Sequence, residues 1–353
     1  MPEAFSLGIE EELFLVDPDD GEQRDAREAV LDGVREPRRG EVTGEVHACE
    51  VEIITDVCRT PADAIAVLRD LRRAVLDTGI GIMGTGTHPT APEGSSEVSD
   101  TERYDFIASQ LGDAAVSPVA AMHVHVGMPD AETAIRVFNG LRRHLPLLEA
   151  LAANSPFRHG RDSGFASARE LSLRAWPRSG APRAFDDNAD FVTYAERLTR
   201  AADVPDYTFH WWKLRPHPRL GTVEVRALDV QDDLAHAAAL AALVQSLALY
   251  ESRSPPAPAI PPEILEEASY RAGREGLAAT LPDSDGVLHP VSELAQEAME
   301  IARPAAETLG CAAELEGITA LIAAGGGAGR QRHDAESGGL TAVLSGLLRR
   351  SGG

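Results

Sequence analysis

The segment SLGIEEELFLV, residues 6–16, places three consecutive glutamates within a run of apolar residues. This pattern predicts a β-strand, along which side chains alternate between the two faces. Glu10 and Glu12 would then share one face, while Glu11 would point to the other. An edge strand with a solvated acidic face is the competing interpretation. If the strand alternates in this way, we expect Glu10→Gln and Glu12→Gln to impair turnover strongly and Glu11→Gln to leave turnover close to normal.

Three further segments have strand-like patterns and carry related side chains: 46–54, 122–127 and 222–229. In the first of them, Glu50 and Glu52 would share a face. In the second, His123 and His125 would share a face. They could bind a metal ion there, or they could be core histidines satisfied by hydrogen bonds. Acids concentrated within strands are unfavourable by propensity, so two acidic strands indicate a bound cation.

The last of these strands would carry Glu224 and Arg226 on one face, for which a simple cross-strand ion pair is the alternative. Together the four strands and their flanks offer six candidate metal ligands: Glu10, Glu12, Glu45, Glu52, His123 and Glu224. A set dominated by carboxylates with one imidazole suits Mg²⁺ or Mn²⁺, whereas Zn²⁺ prefers more histidine or cysteine. Acids held together without a cation would repel one another and raise their pKa values.

The charge balance narrows the range of functions. The 353 residues include 33 basic and 56 acidic side chains, which gives a formal net charge of −23. This charge argues against nucleic acid as a partner, because phosphate contacts need a basic face. Lys213 is the only lysine, so a Walker A loop and the protein-kinase pattern are both excluded. If the protein binds ATP, arginine and metal must neutralise the phosphates.

The cysteines indicate the compartment. Cys49, Cys58 and Cys311 are odd in number and lack CxxC spacing, which favours a reducing, cytoplasmic setting over a disulfide framework. The N-terminal segment lacks the basic and apolar regions of a signal peptide. No apolar run is long enough to span a membrane, and the alanine-rich stretch 236–250 predicts a buried helix. We therefore expect small-molecule partners and no membrane, with a homo-oligomer left open.

Arginine is concentrated in two segments. The first contains Arg158, Arg161, Arg169, Arg174, Arg178 and Arg183, and the second contains Arg215, Arg219 and Arg226. Guanidinium groups bind carboxylates and phosphates bidentately, which suits an acidic substrate and a triphosphate. Salt bridges to the abundant surface acids are the alternative role.

Helical and strand patterns alternate along the chain, which predicts one α+β domain over residues 1–353 with a mostly helical region at 254–353. Helices are predicted at 61–77, with Thr60 as N-cap, and at 131–152 and 234–252. The proline-rich segment 254–262 predicts a linker, and the glycines at 325–329 and 337–339 predict flexible loops.

Several motifs resemble the glutamate–cysteine ligase type 2 family, the bacterial carboxylate–amine ligases. They are GIEEELFLVDPDDG, AMHVHVGMPD, ANSPF followed by GRDSGFASAR, WPRSG, and WWKLRPHPRLGTVEVRALDVQ. The resemblance runs from about Phe5 to the GRQR segment near the C-terminus. It implies a glutamine synthetase-like catalytic fold, in which an antiparallel sheet lined with metal ligands is flanked by helices.

The resemblance also implies roles for the candidate residues. Glu10 and Glu12 match the acids that hold magnesium and the nucleotide phosphates, and Glu52 and Glu45 correspond to the acids of the second strand. His123 matches the first histidine of the His-x-His motif and is a ligand.

The resemblance implies roles for the other candidate residues in the same way. His125 matches the second histidine and would stand behind the ligands. Glu224 and Arg226 match a Glu-x-Arg motif, in which the acid binds metal and the arginine meets the transferred phosphate. Arg215 and Arg169 would contact the substrate carboxylate or phosphate.

The implied reaction joins glutamate and L-cysteine at the expense of ATP, through an acyl phosphate, giving γ-glutamylcysteine, ADP and phosphate, as in the biosynthesis of glutathione-type thiols. The chain departs from the family pattern at Arg158-His159, where a bulky residue usually follows ANSPF, and this change affects the expected acceptor pocket. The alternative function is that of a metal-dependent amidohydrolase using the His-x-His strand, although the sequence lacks eight βα repeats.

Overall fold

The computed structural model describes residues 3–35, 37–98, 102–112, 117–256 and 259–352. Its strands are β1 Leu7–Val16, β2 Glu41–Gly44, β3 Glu50–Ile54, β4 Gly81–Met83, β5 Ala121–Gly127, β6 Phe157–Arg158, β7 Arg161–Asp162, β8 Leu214–His217, β9 Thr222–Asp229, β10 Thr280–Pro282 and β11 Leu288–Pro290. Its α-helices are α1 Arg27–Gly33, α2 Pro61–Leu76, α3 Glu102–Leu111, α4 Ala131–Leu141, α5 Leu145–Ala152, α6 Ala168–Leu173, α7 Asn188–Ala202, α8 Leu234–Arg253, α9 Pro262–Glu275, α10 Val291–Leu309, α11 Ala312–Ala323 and α12 Gly326–Ser351.

Seven strands form the central sheet. Their order is β2-β3-β1-β5-β9-β8, and β4 pairs with residues 14–16 of β1, beyond the part of β1 that pairs with β5. Every pair in this sheet is antiparallel, which confirms the predicted antiparallel α+β architecture. The edge-strand interpretation of residues 6–16 is wrong, because β1 is paired along both sides.

One face of the sheet is apolar and is covered by helices. Ile9, Val124 and Val225 are aligned across three neighbouring strands and have no exposed surface. The helices α2, α4 and α8 pack against this side. Of the described helices, only α8 is long and apolar enough to cross a membrane, and 83% of its apolar window is buried inside the protein, as in a core helix. The predicted buried helix is therefore confirmed.

The helix α2 begins as its sequence predicts. The Thr60 side chain accepts a hydrogen bond from the backbone N–H of Asp63 at 3.2 Å, which satisfies one of the free donors in the first turn. Arg72, on the same helix, is almost fully buried and reaches the underside of β1. There its guanidinium makes two hydrogen bonds to the carboxylate of Glu11, at 2.8 and 2.9 Å.

The Glu11–Arg72 pair shows where the third glutamate of β1 points. The strand alternates as predicted, since Glu11 points away from Glu10 and Glu12, but it points into the core and has no exposed surface. A buried ion pair cannot lose one charge without leaving the other uncompensated. That the turnover of Glu11→Gln is close to normal stays a prediction, but the buried ion pair means that this substitution should lower the stability of the fold.

Two predicted elements have different boundaries. Residues 46–49 form a turn, and β3 begins only at Glu50. The predicted helix 131–152 is two helices, α4 and α5, separated at residues 142–144, with Pro146 in the first turn of α5. Proline is tolerated there because the first amide groups of a helix lack intrahelical partners.

The C-terminal glycines do not form the predicted loops. Residues 326–329 are the first turn of α12, and Gly338 and Gly339 produce a kink within it. A β-carbon at Gly327 would lie 2.2 Å from Oδ1 of Asn154, so glycine permits close packing here rather than flexibility. The predicted linker 254–262 does lie between α8 and α9, although residues 257 and 258 are outside the described part.

Candidate active site

The register of the sheet brings the acidic and histidine side chains together on the face opposite the helices. Glu10 lies directly across from His123 on β5, and Glu12 lies across from Glu52 on β3. His125 lies across from Glu224 on β9. Side chains opposite one another on antiparallel strands are close neighbours. Segments separated by more than 100 residues thus contribute to one polar face.

An irregularity in the β5–β9 pairing shapes the same face. Val124 pairs with Val225 and Met122 pairs with Leu228, so that residues 226 and 227 together lie opposite His123. A bulge of this kind places an extra residue in one strand. Val225 and Leu228 can therefore both be buried, while Arg226 stays on the face that carries Glu224.

The ligand atoms are close enough to share cations. The Nδ1 atom of His123 lies 3.0 Å from Oε2 of Glu10, and Nε2 of His125 lies 3.2 Å from Oε1 of Glu10. Three groups have potential ligand atoms within 4.8 Å of one another: Glu10, Glu52 and His123; Glu10, His125 and Glu224; and Glu12, Glu45 and Glu52. All six predicted ligands belong to these groups, and so does His125.

The pKa values show how strongly these acids repel one another. Burial, together with the charge of Glu12, raises the pKa of Glu45 to about 7. Burial and the charge of Glu10 raise the pKa of Glu52 well above its ordinary value. The pKa of Glu10 is lowered in spite of its burial, because His123 donates a hydrogen bond to it and the imidazole of His125 lies 3.2 Å from its other oxygen. A cluster of carboxylates that repel one another, together with neighbouring imidazole groups, is the kind of site that binds a divalent cation preferring oxygen ligands.

A cavity of about 290 Å³ lies above this face of the sheet. Its walls include side chains that the sequence analysis did not propose: Glu50, Arg103, Tyr104, Trp176 and Trp211. Glu50 shares its face with Glu52 and could have been found by alternation. Trp176 and Trp211 begin two of the motifs that carry the family resemblance, but nothing in the local pattern of Arg103 and Tyr104 indicates that α3 folds over a distant sheet.

The predicted arginines line the cavity and are anchored by internal partners. Arg226 donates a short hydrogen bond to Glu224, and Arg215 makes two hydrogen bonds to the same carboxylate, at 2.9 and 3.2 Å. These two guanidinium groups lower the pKa of Glu224, with a contribution from His125. Arg169 donates to the carbonyl groups of Arg226 and Ala227, at 3.0 and 3.3 Å.

The rest of the first arginine segment lies elsewhere. Arg183 pairs with Asp190 at 2.6 Å, which is the salt-bridge role that the sequence analysis gave as the alternative. Arg158 and His159 line a smaller neighbouring pocket instead of the main cavity. Of the arginines in this segment, only Arg169 is among the described residues that line the main cavity.

The architecture rules out the hydrolase alternative. His123 and His125 lie on an antiparallel sheet, whereas the amidohydrolase site requires a parallel barrel built from βα repeats. The His-x-His strand is therefore part of an antiparallel sheet and not of the parallel barrel that an amidohydrolase would require.

Comparison with known proteins agrees with this architecture. The model for glutamate-cysteine ligase family 2 matches residues 6–343. A relative from Rubrobacter xylanophilus, provisionally named glutamate–cysteine ligase 2-1, is 39% identical over 343 residues, covering 95% of this chain and 91% of the relative. Another from Chloroflexus aurantiacus, provisionally named glutamate–cysteine ligase 2, is 33% identical over 364 residues, covering 98% and 91%.

Solved structures show the same fold at low sequence identity. A glutamate–cysteine ligase from Francisella tularensis superposes with a TM-score of 0.75 at 14% identity, covering 100% of this chain and 89% of that one. A bifunctional glutathione synthetase from Pasteurella multocida gives a TM-score of 0.71 at 14% identity, covering 99% and 52%. The chain therefore belongs to glutamate–cysteine ligase family 2, and it is an enzyme that joins a carboxylate to an amine.

Proposed function

We propose that the enzyme forms γ-glutamylcysteine from glutamate and L-cysteine. ATP phosphorylates the γ-carboxylate and leaves ADP, and the amine of cysteine then displaces phosphate from the acyl phosphate intermediate. The observation that carries this proposal is the polar face itself, where Glu10, Glu52, His123 and Glu224 surround Arg226 beneath one cavity. The Francisella enzyme of this fold was solved with AMP, which supports an adenine nucleotide as co-substrate. We also propose a cytoplasmic setting, in accord with three cysteines that are free and buried.

The acids on this face would hold Mg²⁺ or Mn²⁺. The proposed ligands are Glu10, Glu12, Glu45, Glu52, His123 and Glu224, and His125 lies beside Glu10 and Glu224. A divalent cation bound there supplies charge neutralisation for the transferred phosphoryl group. Its positive charge would also offset the mutual repulsion that raises the pKa values of Glu45 and Glu52.

We propose that Arg226 stabilises the charge that develops during transfer. Its guanidinium is anchored to Glu224, and the same carboxylate is held from the other side by Arg215. Arg169 in turn hydrogen-bonds the backbone carbonyl group of Arg226. We propose that Arg226 meets the phosphoryl group directly, because a planar guanidinium can follow charge spread over three oxygens. Arg215 and Arg169 act as positioning residues that keep Arg226 in place.

An acyl phosphate is hydrolysed by water, so the side chains that wall the cavity affect how long it would survive. The side chains of Trp176 and Trp211 lie edge to face, with ring centroids 5.5 Å apart, and both line the cavity. The hydroxyl group of Tyr104 donates to the carbonyl oxygen of Gly44 at 3.1 Å, which ties α3 to the end of β2. These contacts cover part of the polar face and limit access of water to it.

Isotope transfer tests the proposed mechanism. The enzyme is incubated with ATP, Mg²⁺, cysteine and glutamate labelled with ¹⁸O in its γ-carboxylate, and the phosphate released is analysed by mass spectrometry. An acyl phosphate requires that one labelled oxygen pass from the carboxylate to the phosphate. In a parallel reaction, hydroxylamine in place of cysteine should give γ-glutamyl hydroxamate.

The controls separate coupled turnover from background. Reactions without glutamate should release no ADP above the blank, and the variant Glu10→Gln should be inactive beside an active Glu41→Gln, which changes an exposed acid on β2. Unlabelled phosphate in a reaction that does form γ-glutamylcysteine would refute the acyl phosphate. ADP release with other amines but not with cysteine would refute the proposed acceptor.

A further inference from the structure

The cations around the catalytic cavity differ in how fully their charges are compensated. Five of them line it: Arg103, Arg169, Lys213, Arg215 and Arg226. Arg215 and Arg226 share the carboxylate of Glu224. Lys213 is buried between two glutamates, with its Nζ atom 2.8 Å from a carboxylate oxygen of each, Glu149 and Glu170.

Arg169 is also committed to internal partners. Its guanidinium donates to two backbone carbonyl groups and lies 3.9 Å from the carboxylate of Asp229. Four of the five cations are therefore held by groups of the protein itself. None of these four can bind a substrate carboxylate with its full charge unless an internal contact is weakened or broken.

Arg103 is the exception. It lies on α3, and its Nη1 donates to the hydroxyl group of Thr208 at 3.4 Å, while the guanidinium stands 4.6 Å from the centre of the Phe209 ring. Within the described part of the chain, no carboxylate lies within ion-pairing distance of it. Arg103 is exposed and lines the same cavity as Glu45, Glu50 and Glu52.

The substrates of the proposed reaction bring carboxylates that take no part in bond formation. Glutamate has an α-carboxylate beside the γ-carboxylate that reacts, and cysteine has a carboxylate beside its amine. A carboxylate that takes no part in the reaction enters this cavity at a lower cost in free energy where a cation compensates its charge. A guanidinium without an internal carboxylate partner is the group best suited to do so.

We infer that Arg103 binds the α-carboxylate of an amino-acid substrate, glutamate or the amine acceptor, and so forms a substrate subsite on α3 opposite the metal-binding face. This inference rests on the proposed function, since it takes amino acids as the substrates. The subsite discriminates amino acids from amines or acids of the same shape that lack the α-carboxylate.

Calorimetric titration tests the subsite without requiring turnover. Glutamate and cysteine are titrated separately into the full-length protein with Mg²⁺ and a non-hydrolysable ATP analogue, for wild type, Arg103→Gln and Arg103→Lys. The Kd of one amino acid should rise by roughly 10- to 100-fold in Arg103→Gln, as expected for a lost charge-assisted hydrogen-bond pair. Arg103→Lys should fall between, because lysine keeps the charge but loses the paired geometry.

Decarboxylated analogues identify which substrate is bound. 4-Aminobutyrate is glutamate without its α-carboxylate, and cysteamine is cysteine without its carboxylate. Wild type should prefer the parent amino acid over its analogue, and Arg103→Gln should lose that preference for one pair and keep it for the other. Arg69→Gln, which changes an exposed arginine of α2, is the matched control and should behave as wild type.

Two results would overturn the inference: unchanged Kd values for both amino acids in Arg103→Gln, or a rise confined to the nucleotide analogue. Equal melting temperatures for this variant and wild type would show that any loss of binding does not come from unfolding of α3. A wild-type protein that binds both amino acids but never forms γ-glutamylcysteine would contradict the proposed function alone. The comparison of Kd values would still decide the role of Arg103.

Discussion

Replacing the three consecutive glutamates of β1 one at a time should produce two opposite phenotypes. Glu10→Gln and Glu12→Gln change the face that carries the proposed metal ligands, whereas Glu11→Gln changes the core. We expect the first two variants to lose turnover and keep their stability. We expect the third to lose stability and, at temperatures where it remains folded, to keep most of its turnover.

The size of the Glu11 effect follows from its surroundings. Glu11 is 0% exposed and Arg72 is 2% exposed, and two hydrogen bonds join them. In Glu11→Gln the positive charge of Arg72 remains buried, with the carbonyl oxygen of Gln231 at 2.7 Å as its nearest other partner. Removing one partner of a buried pair costs about 3–5 kcal/mol of unfolding free energy.

That free energy converts to a measurable shift in melting temperature. Unfolding entropy is about 2.1 cal/mol/K per residue, so a chain of 353 residues has about 0.7 kcal/mol/K in total. The Tm of Glu11→Gln should therefore fall by about 4–7 °C. Glu10→Gln and Glu12→Gln should shift Tm little. Glutamine at position 10 keeps an oxygen that can accept a hydrogen bond from His123, and glutamine at position 12 removes a charge that repels Glu45. Their kcat should fall by about 10²-fold or more, as for lost transition-state charge stabilisation.

Scanning calorimetry gives the Tm of each variant. An ADP-release assay at roughly 20–25 °C, where the variants are still folded, gives its kcat. Glu41→Gln, on an exposed position of the same sheet, should be normal in both. A Tm for Glu11→Gln equal to that of wild type would refute the argument about the buried pair. Equal loss of kcat at all three glutamates, with all three folded, would refute the separation of the two faces.

Three other perturbations have defined outcomes. Arg226→Lys should lower kcat by roughly 10²-fold with little change in Tm; a large fall in Tm with near-normal turnover would mean that the pair with Glu224 is only structural. Chelation of divalent ions should abolish turnover and weaken nucleotide binding, with Mg²⁺ or Mn²⁺ restoring both, and a strict requirement for Zn²⁺ would contradict the oxygen-rich site. Burial lowers the pKa of His88 from 6.5 to about 4, so the stability that it contributes is complete above pH 6.5 and is lost as pH falls towards 4, by up to about 3 kcal/mol. The unfolding free energy of His88→Gln should change less with pH in this window, and equal slopes for variant and wild type would contradict this account.

The local pattern of the sequence predicted the strands that carry the site. Alternation placed Glu10 with Glu12, His123 with His125, and Glu224 with Arg226, and each pair shares a face in the structure. These predictions hold because the two-residue period of a strand depends only on neighbouring residues. The same is true of the N-cap at Thr60, where one side chain satisfies an amide three residues away.

Which strands lie next to one another, and which of their side chains are buried, was decided only by the tertiary structure. Alternation showed that Glu11 leaves the polar face, but only the packing of α2 decides that it meets Arg72 and not solvent. Glu45 joins Glu12 and Glu52 because β2 and β3 pair beside β1. Such pairings join segments far apart in the chain, and their register follows from burial of the whole apolar face.

The arginines show the same division most clearly. Composition and spacing indicated that arginine would surround the substrates, and the resemblance to a family pointed to Arg169 and Arg215. Only the structure shows that these two are held by internal partners while Arg103, on α3, is held by no described carboxylate. A guanidinium is available to a ligand only when the folded chain leaves its charge uncompensated, and that depends on distances between segments that no local pattern contains.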